Sequence, residues 1–162
     1  MSFRQGGMMC IQKVFVLFKP DCLKRNLVED FLSGLEQEGL FYKNLQPATI
    51  TREIAKVIYR DCLDKHFYAD LEDFILSNQC MTMMVFGDDA ISKVLKQKKA
   101  FRKKHKLSWV NLSEEDLLLW ENGTHPKQHE LNLKLRAENL LHSTDTETEA
   151  DEIINLLYPL ET

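Results

Sequence analysis

Short, densely apolar runs alternate along the chain with longer amphipathic stretches. Val14-Phe15-Val16-Leu17-Phe18 is apolar at every position, the pattern of a strand covered on both faces. Lys19-Pro20-Asp21 stops it, because proline cannot continue a central ladder. Asn26 with Glu29 three residues on has the form of a capping box, and the helix after it sets Leu27, Phe31, Leu32 and Leu35 on one stripe before Gly39. Residues 40–51 read as a second strand. Thr51 then caps a helix with Ile54, Val57, Ile58 and Cys62 inward, and another helix starts near Tyr68 with Leu71, Phe74 and Ile75 apolar.

Cys80 to Phe86 reads as a third strand, closed by Gly87-Asp88-Asp89. Residues 89–121 look helical, charged and in at least two pieces, with Ser113 and Asp116 as a cap for the later one. Gly123-Thr124-His125-Pro126 is a loop, and a short strand precedes His142. Thr146 and Glu149 form a further capping box before a helix that turns Ala150, Ile153, Ile154 and Leu157 inward and stops at Pro159. This order predicts an α+β fold: a ferredoxin-like sandwich, a four-stranded antiparallel sheet with helices packed on it.

Composition narrows the class. A chain of 162 residues fits one domain, 44% hydrophobic and 28% charged. No apolar run approaches the ~18 residues of a membrane helix, and residues 1–11 have no apolar core of signal-peptide length and read as a loose leader. Cys10, Cys22, Cys62 and Cys80 lack CxxC spacing, which suits thiols in the cytoplasm or another reducing compartment. Net charge is −4, so the whole chain does not read as a nucleic-acid binder by bulk attraction. Residues 96–106, KQKKAFRKKHK, oppose that balance with seven Lys or Arg. They read either as a solvated helix face or as a patch that attracts phosphate or nucleic acid.

Several chemistries are missing: no GxxxxGK[ST] or GxGxxG loop, no HExxH or zinc cluster, and no GxSxG elbow. His66, His105, His125 and His129 sit in charged or loop sequence. His142 differs. It follows apolar Leu140-Leu141 and precedes a capped acidic helix, so the sheet would hold it at an open edge. An unperturbed imidazole, with a pKa of about 6.5, is mostly neutral near pH 7 and is then a competent nucleophile toward phosphorus. Taken alone, it reads first as a hydrogen-bonded structural histidine.

The set of motifs decides more than any member. A strand followed by Lys19-Pro20-Asp21, then Arg25-Asn26-Leu27-Val28, then Tyr59 with Phe67 and Leu71, then Asn139-Leu140-Leu141-His142-Ser143-Thr144-Asp145 resembles the nucleoside diphosphate kinases. The resemblance runs over residues 12–87 and 134–159. It implies a phosphotransferase that passes the γ-phosphate of ATP or another nucleoside triphosphate to a nucleoside diphosphate. His142 would be the nucleophile and Lys19 would meet the transferring phosphate. Tyr59 and Asn139 would sit beside the phosphates and sugar. Phe67, with Leu71, would carry the base, and stacking of that kind tolerates any base. Thr124 and Arg136 are the best placements for a phosphate-clamping threonine and arginine. Mg²⁺ is the implied cofactor, held by nucleotide phosphates rather than by a protein cage, and a homo-oligomer, dimer or hexamer, is implied as well.

The departures are specific. Ser143 stands for the family glycine after the histidine, and Thr144 for its serine. The glutamate that orients the histidine falls on Ile153, leaving Glu149 or Glu152 to reach instead. Spacing back from His142 puts His129, rather than Arg136, at the arginine position. A second clamping arginine has no match, with Arg102 or a lysine of the basic run as substitutes. Residues 88–121 read as a helical insertion. The competing readings are a binding or assembly module that kept the fold and lost the clamp, and a nucleic-acid binder working through residues 96–106.

Overall fold

The structure is a computed structural model and describes residues 10–105 and 112–159. Residues 1–9 of the expected leader lie outside the described residues, and Ile11 already belongs to the first strand. Four strands form one antiparallel sheet: β1 (Ile11–Phe18), β2 (Phe41–Ala48), β3 (Cys80–Asp88) and β4 (Leu141–Ser143), in the order β2-β3-β1-β4. That is the expected four-stranded antiparallel sandwich.

The unbroken apolar run of β1 has a simple cause. Phe15 and Leu17 face a core built with α3 (Arg52–Ile58), α4 (Tyr68–Ser77) and α8 (Glu147–Leu157). Val14, Val16 and Phe18 face another, built with α2 (Val28–Gln37) and α5 (Ala90–Lys104). A strand sandwiched between helices needs apolar side chains at every position.

The chain folds locally for the expected reasons at most helix starts. Thr51, Ser113 and Thr146 accept bonds from the amides of Ile54, Asp116 and Glu149, capping α3, α6 (Glu114–Glu121) and α8. The capping box at Asn26 does not form. Asn26 sits at φ 56°, linking the short α1 (Pro20–Lys24) to α2, whose N-cap is Leu27 with no side-chain bond. Asparagine tolerates that left-handed turn, and the turn spends the residue. Gly39, at φ 75°, ends α2 as expected.

A helix at α7 (Gln128–Asn132), continued by a π turn over Leu133–Ala137, was not foreseen. It is short and mixes Gln, His and Glu with Leu and Asn, so its apolar period is weak. Residues 106–111 lie outside the described residues, which leaves the middle of the 88–121 segment undescribed.

Candidate functional site

Register sets the site. Leu17 pairs with His142 across β1 and β4, so both side chains share one face of the sheet. That face carries Tyr59, the C-cap of α3. The His142 and Tyr59 rings lie 4.8 Å apart, tilted by 57°. Lys19 follows Phe18 by one residue and so turns to the same side. Its backbone N–H donates to Leu140 O at 2.9 Å.

The Lys19 ammonium is 2% exposed. It donates to Asn139 Oδ1 at 2.5 Å and to Arg136 O at 3.3 Å, and lies 5.5 Å from the Tyr59 ring centre. The Tyr59 hydroxyl is buried with no hydrogen-bond partner among the described residues, which costs about 1–3 kcal/mol until something supplies one.

These groups wall a cavity of about 230 Å³. Lys19, Tyr59, Phe67, Leu71, Arg136, Asn139 and His142 all line it, although they span most of the sequence. Thr124 does not. It is exposed in the turn after α6, its hydroxyl donating to Leu119 O at 3.3 Å. Phe67 is 8% exposed and its face is covered: the Arg136 guanidinium lies 5.3 Å from its centre and Trp120 stacks at 6.2 Å and 18°. Leu71 is buried beside it.

Two further cations face the cavity, Lys98 and Arg102 of α5. Arg102 donates through Nε to Asn139 O at 2.9 Å and through Nη2 to Leu141 O at 2.7 Å. It therefore braces the segment that presents His142. That segment is unusual: Leu140 is fully buried at φ 79°. A non-glycine residue there costs about 1–3 kcal/mol and persists only when its surroundings fix it. Asp21 Oδ2 accepts the Leu140 N–H at 3.0 Å, Lys19 holds its carbonyl, and Arg102 holds the carbonyls on either side. The proline-aspartate after β1 thus positions β4.

The electrostatics follow from burial. Desolvation, helped by the charges of Lys19, Lys98 and Arg102, pushes the partly exposed His142 ring down to about 3, so it is neutral at any physiological pH. Burial and the Arg102 charge push Lys19 down to about 7, against the pull of Asp21. Burial and Arg102 push Lys98 to about 8. Five cations, Lys19, Arg60, Lys98, Arg102 and Arg136, line the wall against Asp61, Asp145 and Glu149. Arg60 is paired with Glu152.

Among the described residues no carboxylate bonds the His142 ring. Ile153 is 1% exposed in the core, Glu152 is held by Arg60, and Glu149 lines the cavity. His129 is bonded to Asp70, away from the cavity wall. Thr144 has a structural task, its hydroxyl accepting the Phe15 N–H at 3.0 Å. The sequence offers Arg102 or a lysine of the basic run for the unmatched arginine, and the structure puts both Arg102 and Lys98, four apart on one helix face, on the cavity wall. The left-handed Leu140 had no such signal.

A neutral imidazole, a buried ammonium and a phenol with no partner among the described residues converge on a small cationic cavity on an antiparallel α+β sandwich, an arrangement suited to an anionic ligand. The nucleoside diphosphate kinase family model matches residues 12–108. Relatives named nucleoside diphosphate kinase are 30% identical in Methanobrevibacter smithii, over 91% of this chain and 87% of that one, and 29% identical in Sulfurisphaera tokodaii, over 93% and 90%. A halophilic nucleoside diphosphate kinase from Halobacterium salinarum, solved in complex with CDP, superposes with a TM-score of 0.60 at 24% identity over 93% of this chain and 90% of that one. The enzyme from Aquifex aeolicus superposes at 0.59 and 18% identity, over 92% and 96%. The chain belongs to the nucleoside diphosphate kinase family, a family of phosphotransferases.

Proposed function

We propose that the chain moves the γ-phosphate of a nucleoside triphosphate onto a nucleoside diphosphate through phosphohistidine at His142. The observation that carries this is the juxtaposition of the neutral His142 ring, the Lys19 ammonium and the unpartnered Tyr59 hydroxyl on one cavity wall. In the first half-reaction an imidazole nitrogen lone pair attacks the γ-phosphorus. The nitrogen–phosphorus bond forms as the bond to the β,γ-bridging oxygen breaks, and the diphosphate leaves with that electron pair. In the second, a terminal oxygen of the acceptor diphosphate attacks the phosphohistidine and the ring recovers its lone pair.

Lys19 meets the charge that gathers on the transferring oxygens. Tyr59 donates to a phosphate oxygen, and Asp145 and Glu149 face the charge that develops on the ring. Asn139, fixed by Lys19, is placed to bond the sugar. The Arg136 guanidinium, spread over Phe67, offers a flat surface against which any base stacks. Thr124 has no part in this reading.

Mg²⁺ bound with the nucleotide would neutralise phosphate charge. Asp61, Asp145 and Glu149 are hard oxygen donors on the wall that could meet such an ion beside its waters and the nucleotide phosphates. Four free cysteines fit a cytoplasmic setting, and no described helix is long and apolar enough to cross a membrane. A homo-oligomer, dimer or hexamer, fits the edge strand β2, where Phe41 is 50% exposed.

Initial rates with ATP and GDP varied together test the reading. Parallel double-reciprocal lines are expected, because the donor product leaves before the acceptor binds. Intersecting lines would mean direct transfer between two bound nucleotides and would remove His142 as the carrier.

A further inference from the structure

The basic run at 96–106 has no place in the reaction so far beyond Arg102. In the folded chain its described members have separate fates. Lys96 pairs with Glu38, Lys104 with Asp30, and Phe101 is buried against Phe31. Arg102 spends Nε and Nη2 on two backbone carbonyls. Lys98 stands apart from all of these. It lies one turn before Arg102 on the same face of α5, on the cavity wall, partly buried, with no hydrogen bond or ion pair among the described residues. Asp145 attracts it from the same wall without closing a bond. Among the lining cations, Lys19 is bonded to Asn139, Arg60 to Glu152, and Arg136 lies over two aromatic rings.

We propose that Lys98 is the clamp for the non-transferred phosphates of the nucleotide, holding them from α5 while Lys19 holds the transferring one. The proposal rests on the nucleotide reading above and adds a residue to it. A partly buried ammonium with no bonded partner is expensive unless a ligand supplies the anion. A flexible stem with three donors suits a phosphate chain approached from one side. Its charge also reaches the His142 ring, so a phosphate held by Lys98 lies within the same field as the nucleophile. Arg102 is then a positioning residue, because its Nε and Nη2 are committed to the backbone of the segment that carries His142.

The test is binding of ADP and of inorganic tripolyphosphate, read by calorimetry on the full chain without turnover. K98M and K98Q are expected to weaken both ligands by about tenfold or more, the loss of one charge-assisted bond, and K98R to recover most of it. K96M, on the outer face of the same helix, serves as the control for bulk charge. In turnover, KM should rise more than kcat falls. Unchanged affinity for both ligands in K98M and K98Q would overturn the proposal, and so would an equal loss in K96M. The two readings fail separately. Lys98-dependent ADP binding in a chain that never forms a phosphoenzyme keeps this proposal and removes the kinase mechanism. Full activity and affinity in K98M does the reverse.

Discussion

At the scale of single residues, the site works by desolvation. An ordinary imidazole is half charged near pH 6.5, and a protonated ring cannot attack phosphorus. Burial and three neighbouring cations hold His142 at about 3, so its lone pair is available at any pH where the protein works. The same desolvation lowers Lys19 to about 7 and Lys98 to about 8. On the proposed reading the charged form of these two binds phosphate, so the sign is opposite: each loses its grip as pH rises through its own value. We expect the His142 ring resonances in an NMR titration to stay those of the neutral ring down to pH 5, and kcat/KM to fall as pH rises through about 7 to about 8. An imidazole midpoint near 6.5 for His142 would contradict this. His142, Lys19, Tyr59 and Asn139 were legible in the sequence because each sits in a short motif of fixed order. Thr124 was not, because a threonine in a turn beside a rebuilt segment has no pattern to anchor it. Phe67 lines the cavity with His142, Lys19, Tyr59 and Asn139, but its cover by Arg136 and Trp120 depends on tertiary packing that no local spacing records.

At the scale of elements, three segments distant in sequence meet on one backbone stretch. The turn after β1 supplies Asp21 and Lys19, α5 supplies Arg102, and all bond the backbone around Leu140 just before His142. This bracing holds a buried leucine in a left-handed conformation. Removing Arg102 takes its donors from Leu141 O and from Asn139 O, which still accepts the Leu141 N–H, and releases that constraint. R102M should lose about 1–3 kcal/mol of stability and lower kcat more than it raises KM, because the nucleophile is displaced while Lys19 and Lys98 remain. Thermal melting and steady-state kinetics on one preparation check both. A KM effect alone, with unchanged melting, would make Arg102 a ligand contact instead. The strands and the caps at Thr51, Ser113 and Thr146 could be read from apolar runs and hydroxyl positions. The Asn26 box failed because the chain needed a left-handed turn there, and α7 was hidden by its weak apolar period.

At the scale of the whole molecule, an acidic chain of net charge −4 sets five of its 21 Lys and Arg on the wall of one cavity. The order of the strands achieves this. Placing β4 beside β1 puts the histidine near the C-terminus next to the lysine that ends the first strand, and α5 packs against β1 to bring Lys98 and Arg102 to the same place. A binding module could keep this fold, but it would not form a phosphoenzyme. The most direct measurement follows the ring itself. The native chain is incubated with γ-labelled ATP and Mg²⁺, and the phosphoenzyme is assayed for stability in acid and alkali and located by peptide mapping. An acid-labile, alkali-stable phosphate on His142, discharged by added GDP and absent from H142A, is the expected result. A native chain that takes up no label, or label that persists in H142A, would contradict the assignment of His142 as the phosphate carrier.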